Sequence, residues 1–261
     1  LQSYGNIIIE AATGELASGL SGKGRMEEPE RIVDKIKQHF STKESLCGKR
    51  YVVTAGPTYE GIDPVRFIGN YSSGKMGFAI AEALASCGAK VDLITGPTNL
   101  KTNNSYIALV GVNSAEEMYH QAVNKFHGSD GAVLSAAVSD FKPSRIYDKK
   151  VKKGSKTWTI ELEPTKDIAR ELGSLKKKNQ LLMGFALETH DELENALKKL
   201  ENKNLDFIVL NTLNEKGSGF QFDTNKIKII NKQQEIEEYD LKSKREVAKD
   251  IVRIIIEKQG R

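Results

Sequence analysis

Short apolar runs alternate with amphipathic segments along the chain from Tyr51 onward. Residues 75–88 carry apolar side chains at helical spacing and stop at Gly88, and Ser114 with Glu117 forms a capping box that predicts a helix over 115–126. Four apolar runs rich in β-branched residues predict strands: YVVTA (51–55), AKVDLIT (89–95), SYIALVGV (105–112) and GAVLSAAV (131–138). Such alternation predicts a parallel sheet with helices on both of its faces.

The alternation continues to the C-terminal end of the chain. The pattern predicts strands at 157–163, 180–188 and 205–211, and helices after Asp167 and over 191–203. The segment GFQFDTNKIKIINK (219–232) predicts a β-hairpin that turns at Asp223–Asn225. An amphipathic helix closes the chain, with these residues on its apolar face: Val247, Ile251, Ile254 and Ile255. We therefore predict an α/β, Rossmann-like fold, with a mostly parallel sheet, helices on both faces and an antiparallel C-terminal hairpin.

The first 46 residues differ in character from the rest. Residues 14–30 are rich in glycine and charge, and a helix is predicted from Pro29. Its apolar face would consist of Ile32, Val33, Ile36 and Phe40. We expect two parts, a tail with a linker helix over 1–46 and the α/β domain over 47–261.

Composition indicates a globular protein that suits an anionic ligand. Of 261 residues, 39% are hydrophobic and 28% charged, and the formal net charge is +4. Cys47 and Cys87 form no C-x-x-C pair, so neither a zinc site nor a disulfide framework is indicated, which fits a reducing cytoplasm. No apolar run approaches the roughly 18 residues of a membrane span, and the start lacks a signal-like pattern. We expect a cytoplasmic protein without membrane contact.

The stretch RFIGNYSSGKMG (66–77) nearly matches a P-loop, but Met76 stands where a P-loop needs Ser or Thr to bind Mg²⁺. About fourteen residues also separate the first strand from this stretch, whereas a P-loop follows its strand directly. The local chemistry still suits a phosphate group, because Ser72, Ser73, Gly74 and Lys75 precede a helix whose first N–H groups are free to bind an anion. The alternative is a helix capped by Ser72 or Ser73.

Several longer segments resemble one enzyme family. Residues 54–83 closely resemble the opening of bacterial phosphopantothenoylcysteine synthetases. The other segments that carry the resemblance follow in the family's order: SAAVSDFKP (135–143), KVKKG (150–154), LEPTKDI (162–168), GFALET (184–189), KKLENKNLDFIVLN (198–211) and GSGFQFDTNKI (217–227). The resemblance covers about residues 48–258.

The first 46 residues resemble the end of the flavin-dependent decarboxylase half that precedes the synthetase in the bifunctional bacterial protein. Ser18 stands where some relatives carry a catalytic cysteine. Most of the flavin half has no counterpart in this chain, so we expect neither FMN binding nor decarboxylase activity here.

The resemblance implies a CTP-dependent ligase. Such enzymes join 4′-phosphopantothenate to L-cysteine: the carboxylate attacks the α-phosphate of CTP, pyrophosphate leaves, and the amine of cysteine then displaces CMP from the acyl-cytidylate. Mg²⁺ is expected to accompany the nucleotide, and Asp140 is a candidate metal neighbour. The family also implies a homodimer and no nucleic-acid partner. CTP rather than ATP is not fixed by the residues themselves.

The resemblance also implies roles for particular residues. Asn70, Arg66 and Lys150 are the expected catalytic residues, with Lys149 as an alternative to Lys150, and Arg66 and Lys75 are both candidates for the pantothenate phosphate. The expected nucleotide-binding residues are Leu134, Ser135, Ala136, Asp140, Lys150, Lys166, Asp167, Ile168, Ala169, Phe185, Lys199 and Lys203. The start of the helix at 166–169 is expected to form a second anion site.

The residues by themselves allow other interpretations. Asn70 could fix its own loop, Phe185 could be plain core, and Lys199 and Lys203 could be surface lysines paired with Glu194 or nearby acids. The basic run at 149–153 could be a solvated face or part of a nucleic-acid-binding module. A nicotinamide-binding oxidoreductase would share the α/β pattern, but it would need G-x-G-x-x-G directly after the first strand.

Overall fold

The structure is a computed structural model of the chain, and it describes residues 8–15, 21–154, 157–188, 190–212 and 222–259. The chain divides into two compact units, Leu1–Ser45 and Leu46–Arg261. None of the described helices combines the length and the apolar composition that a membrane crossing requires.

The first unit contains an antiparallel ribbon and one helix. Strand β1 (Ala12–Glu15) pairs with β2 (Ser21–Arg25), which the glycine-rich sequence did not predict, and helix α1 (Pro29–Glu44) begins at the expected proline. Val33 and Ile36, from the predicted apolar face of α1, remain exposed. Ser18 lies outside the described residues.

The second unit holds the remaining elements. Its strands are β3 (Arg50–Ala55), β4 (Tyr59–Gly61), β5 (Phe67–Gly69), β6 (Lys90–Thr95), β7 (Ile107–Gly111), β8 (Gly131–Leu134), β9 (Phe141–Pro143), β10 (Leu162–Pro164), β11 (Leu181–Glu188), β12 (Phe207–Thr212), β13 (Thr224–Asn231) and β14 (Ile236–Ser243). Its helices are α2 (Lys75–Ser86), α3 (Ala115–Phe126), α4 (Ile168–Leu175), α5 (Glu192–Asn202) and α6 (Lys244–Gln259).

Eight strands form one sheet in the order β14-β13-β12-β11-β8-β3-β6-β7. The strands β3, β6, β7, β8, β11 and β12 run parallel, whereas β13 and β14 join antiparallel. Counted along the chain, the parallel strands lie in the order 3-2-1-4-5-6, which is the doubly wound Rossmann arrangement. The predicted fold class is therefore confirmed. The order reverses between β3 and β8, and a ligand crevice is expected beyond the carboxyl ends of the strands there.

Two apolar layers cover the two faces of this sheet. Along β3, Tyr51 and Val53 pack with α2 and α6, whereas Val52 packs with α3 on the opposite face. Side chains of a strand alternate between faces, so a strand covered on both sides is apolar at successive positions. This is why the predicted strands appear in the sequence as short continuous apolar runs.

The capping box and the glycine stop are confirmed, with one difference. Ser114 Oγ accepts a hydrogen bond from the N–H of Glu117 at 3.2 Å, and α2 ends next to Gly88, whose φ is +90°. The Glu117 carboxylate, however, accepts from the N–H of Asn113 at 2.8 Å rather than from that of Ser114.

Two strand predictions need correction. The run GAVLSAAV is a strand only as far as Leu134. The predicted strand 157–163 is wrong in its main part: only β10 forms, and it pairs with β9 outside the main sheet. Trp158 and Leu162 on its alternating pattern stay exposed, and Trp158 contacts Arg66 and Tyr147 rather than the main sheet.

The predicted hairpin turn at Asp223–Asn225 is also wrong. The hairpin consists of β13 and β14 and turns after Asn231. The Asn231 side-chain oxygen accepts from the N–H groups of Gln233 and Glu235, and Gln234 adopts a φ of +64°. Local hydrogen bonding by asparagine therefore fixes the turn at this position.

Candidate functional site

A cavity of about 520 Å³ opens beyond the carboxyl ends of β3, β8, β11 and β12. Thr54 and Leu134 line it from the adjacent strands β3 and β8, Phe185 from β11, and Asn211 from β12. This is the place where the strand order reverses. Ligand-binding crevices of open α/β sheets occur at this position because the loops that follow neighbouring strands leave in opposite directions.

Sixteen of the eighteen residues proposed from the sequence line this one cavity. They are Asn70, Ser72, Ser73, Gly74, Lys75, Leu134, Ser135, Ala136, Asp140, Lys166, Asp167, Ile168, Ala169, Phe185, Lys199 and Lys203. Arg66 and Lys150 are not among the lining residues. The cavity thus brings together segments that are more than 100 residues apart in the chain.

The start of α2 forms one end of the cavity. The residue that caps this helix is Gly74, in the left-handed region with φ 76°, and no side chain makes a capping hydrogen bond. The Ser72 hydroxyl instead accepts a hydrogen bond from the N–H of Gly74 itself at 3.4 Å. The alternative in which Ser72 or Ser73 caps the helix is therefore not realised. A helix start without a side-chain cap is available to an anion.

Backbone hydrogen bonds join the ends of β3 and β8 beside this helix start. The N–H of Ala137 donates to the carbonyl of Gly56 at 2.9 Å, and the Ser135 hydroxyl donates to the carbonyl of Thr54 at 2.8 Å. Gly56, with φ 74°, lies against Gly74, where any Cβ would come within 3.4 Å of the Gly56 nitrogen. The two glycines let the turn after β3 and the start of α2 approach closely.

The segment between β3 and α2 is not an irregular loop. β4 and β5 pair as an antiparallel ribbon, which the sequence did not predict, and the turn between them is held by Asp63. The buried Asp63 carboxylate accepts from the N–H groups of Val65 and Arg66, both at 2.9 Å. This ribbon supports Asn70 at the edge of the cavity.

The side chain of Asn70 connects the β4–β5 ribbon to the loop after β8. Its side-chain nitrogen donates to the carbonyls of Ala137 and Val138, at 3.1 and 3.2 Å. Asn70 therefore does fix local structure, as one interpretation of the sequence held, and it does so from a position that lines the cavity.

Arg66 contacts the basic loop instead of the cavity. Its Nη2 donates to the carbonyl of Val151 at 2.5 Å and pairs with Asp63 at 2.9 Å, and its guanidinium lies 4.9 Å from the ring centre of Trp158. Asp63 also accepts from the N–H of Val151 at 3.2 Å. The loop is thus attached at the residue that follows Lys150, while Lys150 itself is exposed.

The surroundings of Asp63 determine the pKa of its carboxyl group. Burial alone would raise the pKa of Asp63, but hydrogen bonds from the backbone N–H groups of Val65, Val151 and Arg66, together with the Arg66 charge, lower it overall. Asp63 is therefore a charged anchor between the ribbon and the basic loop.

The cavity is rich in positive charge. Its lining contains five lysines but only two carboxylates, Asp140 and Asp167; the lysines are Lys75, Lys166, Lys199, Lys203 and Lys244. Nearby acids hold several of them: Lys75 pairs with Asp223 at 2.5 Å, and Lys203 with Asp167 at 3.0 Å. The excess of lysines favours an anionic ligand.

Two details of this lysine set differ from the sequence-based alternatives. Glu194 pairs with Lys198 at 2.5 Å on α5, the helix that carries Lys199 and ends just before Lys203. Lys166 pairs with Glu116 at 2.7 Å and lies 4.8 Å from the ring centre of Tyr119. Lys203 therefore pairs with an acid, as one interpretation of the sequence held, but that acid is Asp167 and not Glu194.

The start of α4 does not match the expected second anion site. Asp167 caps this helix, and its carboxylate accepts from the N–H of Arg170 at 3.0 Å. Burial would raise the pKa of Asp167, but the Arg170 N–H and Lys203 lower it overall, so the helix start already holds a negative charge. The capping carboxylate at the start of α4 would therefore compete with a bound anion there, while residues 166–169 line the cavity and their role in nucleotide binding stays a prediction.

Phe185 fits both interpretations made from the sequence, that of a core residue and that of a ligand contact. It is partly buried and packs against the apolar layer of α2 and α6, and it also lines the cavity. A ring in this position is fixed by the core and presents apolar surface to a ligand.

Sequence reasoning did not single out Asn211, Asn225 and Lys244, which also line the cavity. All three are buried. A signal existed for Lys244: Ser243 and Glu246 form a capping box, with the Glu246 N–H donating to Ser243 Oγ at 3.3 Å. This box places Lys244 in the first turn of α6, where the helix dipole disfavours a cation.

Metal ligands are sparse in the described part of the chain. Within it, no three His, Cys, Asp or Glu side chains are grouped as a protein-only metal site would need. Asp140 is exposed and lines the cavity, whereas the other lining carboxylate, Asp167, is engaged by Lys203. This donor set fits a Mg²⁺ ion carried mainly by ligand phosphates, which typically takes one or two protein carboxylates.

Comparison with known proteins gives matches along most of the chain. Residues 46–258 match the family model described as DNA/pantothenate metabolism flavoprotein C-terminal domain. A protein from an unknown prokaryotic organism, named cysteine/cysteine sulfinic acid decarboxylase, is 54% identical over 98% of this chain and 72% of its own length. The coenzyme A biosynthesis bifunctional protein CoaBC of Bacillus subtilis strain 168 is 46% identical over 98% of this chain and 63% of its own length.

A solved structure agrees with these matches. The crystal structure of the C-terminal domain of a coenzyme A biosynthesis bifunctional protein CoaBC superposes with a TM-score of 0.70 at 41% identity, over 82% of this chain and 96% of that chain. The chain spans between 63% and 72% of the length of the two curated relatives described above.

Proposed function

Because this chain belongs to the family of DNA/pantothenate metabolism flavoprotein C-terminal domains, we propose that it joins 4′-phosphopantothenate to L-cysteine in a reaction driven by CTP. The resemblance of its motifs to phosphopantothenoylcysteine synthetases suggested this activity, and the names of its relatives are consistent with a role in coenzyme A biosynthesis.

One observation carries the proposal. A helix start without a side-chain cap, five lysines and one uncommitted carboxylate, Asp140, surround a single cavity at the point where the strand order reverses. A nucleoside triphosphate and a phosphorylated acid are both anions that positive charge and backbone N–H groups can bind, and the Mg²⁺ that a triphosphate carries needs only one or two protein carboxylates.

The first chemical step forms the acyl-cytidylate. A carboxylate oxygen of phosphopantothenate attacks the α-phosphorus of CTP, and the bond to the bridging oxygen breaks so that pyrophosphate leaves. Negative charge accumulates on the phosphate oxygens, where lysine ammonium groups and N–H groups at the start of α2 stabilise it. Lys150 lies on the loop attached through Val151 and would join this set when the loop moves toward the cavity.

The second step forms the amide. The amine of cysteine attacks the acyl carbon, the carbon–oxygen bond to CMP breaks, and the amine proton is lost to solvent or to a phosphate oxygen. We assign Asn70 to the acyl group in this step. Because both of its N–H donors are used by the carbonyls of Ala137 and Val138, one of those bonds must exchange for the ligand.

Base recognition is assigned to the loop after β8 and to Phe185. Leu134, Ser135 and Ala136 line the cavity, and small side chains at two of these positions leave room for a base. Cytosine and adenine differ in the donors and acceptors of their ring edges, so backbone groups can separate them without a distinctive side chain. Preference for CTP is therefore part of the proposal.

We also propose that the chain acts as a homodimer through the two small ribbons. Val65, Phe67 and Tyr71 lie on or beside β4–β5, and Phe141 and Leu162 lie on β9–β10; all five are exposed, and Tyr71 is 87% exposed. A contiguous exposed apolar patch often marks an interface. Sedimentation of the wild type and of Phe67→Ser would test it: a dimer that the substitution dissociates supports the proposal, and a wild-type monomer contradicts it.

The activity is tested by pyrophosphate release. The purified chain is mixed with CTP or ATP, with or without phosphopantothenate, and with or without cysteine. We expect pyrophosphate release only with phosphopantothenate and faster with CTP, and CMP release in repeated turnover only when cysteine is added. Release that does not depend on phosphopantothenate would contradict the proposal.

The name of the 54% identical relative gives a second candidate, decarboxylation of cysteine or cysteine sulfinate. The same incubations distinguish the two. Carbon dioxide released from cysteine without consumption of nucleotide would favour the second candidate, whereas we expect no carbon dioxide release from this chain.

A further inference from the structure

Two helices that are distant in sequence begin at the same end of the cavity. α2 begins at Lys75 and α6 begins at Lys244, and both lysines line the cavity. The helices pack on the same face of the sheet within one apolar layer. The start of α2 contributes the positive end of its dipole without a side-chain cap, whereas Ser243 and Glu246 cap the start of α6, so two ammonium groups and one uncapped helix start meet here.

The protein's own negative charge at this end is small. Asp223 pairs with Lys75 at 2.5 Å, but its side chain is 83% exposed. Lys244 is only 7% exposed, and its ammonium donates to the carbonyl of Phe222 at 2.6 Å. Asp223 thus pairs with Lys75 from an exposed position, and its charge also acts on the buried Lys244.

The surroundings of Lys244 change the pKa of its ammonium group. Burial, together with the nearby Lys75 charge, lowers the pKa of Lys244, while Asp223 opposes the effect. A buried cation beside a second cation is unfavourable unless an anion offsets both.

We propose that Lys244 is a phosphate-binding residue that acts with Lys75 and the uncapped start of α2 to hold one phosphate group. This inference rests on the proposed function only for the name of the ligand. That the ligand carries a phosphate group is argued from the two lysines and the helix start. The phosphate belongs either to the triphosphate of CTP or to the 4′-phosphate of phosphopantothenate.

The test replaces Lys244 by methionine, which removes the charge but keeps an unbranched chain that fits a buried site. The dissociation constants of CTP, phosphopantothenate and inorganic tripolyphosphate are measured by titration calorimetry. Loss of one charge-assisted hydrogen bond predicts a dissociation constant raised about 10-fold to 100-fold. Lys249→Met is the matched control, because Lys249 is an exposed lysine on the same helix and does not line the cavity.

The pattern of losses identifies the phosphate. Weaker binding of CTP alone places Lys244 at the triphosphate, and weaker binding of phosphopantothenate alone places it at the 4′-phosphate. A folded Lys244→Met variant that binds all three ligands as the wild type does would overturn the proposal. Weaker tripolyphosphate binding in a chain that releases no pyrophosphate would reject the proposed function but support this inference.

A second variant covers the case in which Lys244→Met does not fold. Lys244→Gln is neutral but keeps an N–H group for the carbonyl of Phe222. It must show the same loss of affinity, and wild-type affinity in this variant would equally overturn the proposal.

Discussion

Gly77 offers a sensitive test of how the start of α2 is placed. It lies in the first turn of the helix, lines the cavity, and packs against the end of β3. A Cβ added at Gly77 would lie 2.5 Å from the Cβ of Ala55 and 2.7 Å from Oγ of Ser135. Ordinary contact begins near 3.4 Å, so Gly77→Ala must move the helix start by about 0.9 Å.

Two effects of opposite sign decide the result. Alanine is favoured over glycine inside a helix by about 1 kcal/mol, whereas overpacking of a tight core costs about 1–3 kcal/mol. Because the obstruction includes the backbone of Ala55, we expect overpacking to dominate, with a net loss of up to about 2 kcal/mol in the free energy of unfolding. The displaced N–H groups should also weaken CTP binding by about 10-fold or more.

The measurements are urea unfolding followed by circular dichroism and CTP titration by calorimetry. Gly128→Ala is the control, since no atom lies within 4 Å of the added Cβ there. That control should change the free energy of unfolding by less than about 0.5 kcal/mol. A Gly77→Ala variant that is more stable than the wild type and binds CTP equally well would refute the reasoning.

Two further predictions concern catalysis and stability. Asn70→Asp should still release pyrophosphate but stall amide formation, because a carboxylate repels electron density on the acyl oxygen; unchanged turnover in a quenched assay would remove Asn70 from the mechanism. Asp92→Asn should lower the free energy of unfolding, measured with urea at neutral pH, by about 2 kcal/mol. The buried Asp92 carboxylate pairs with the partly exposed Arg50 at 2.6 Å and with Lys125 at 3.1 Å. Burial would raise the pKa of Asp92, but Arg50 and Lys125 lower it overall, so its stabilisation is present above about 3.8 and is lost as the pH falls further. The difference between wild type and variant should therefore shrink below that pH, and a constant difference would contradict the assignment.

The sequence predicts the central sheet well because its strands are covered on both faces. Tyr51, Val52 and Val53 all have to be apolar, so the pattern is determined locally. Periodicity was misleading at residues 157–163, where Trp158 and Leu162 alternate like a strand but stay exposed. Alternation records which side chains could share a face, and it does not establish that another element packs against that face.

The candidate site shows the same limit. Most of its residues were identified through motifs that occur in a recognisable order, and their meeting at one cavity follows from the strand order. Lys244 was missed because its proximity to Lys75 arises from the packing of α6 beside α2, across about 170 residues of chain. The cap of α4 by Asp167 was missed for a different reason, since an aspartate at a helix start is consistent with capping and with ligand binding alike.

The most direct test of the proposed chemistry follows one oxygen atom. Phosphopantothenate is labelled with ¹⁸O in its carboxylate and converted with CTP and cysteine, and the CMP is examined by mass spectrometry. If the carboxylate attacks the α-phosphate, the carbon–oxygen bond breaks in the second step and one labelled oxygen appears in CMP. CMP without label, formed together with the amide product, would contradict the account.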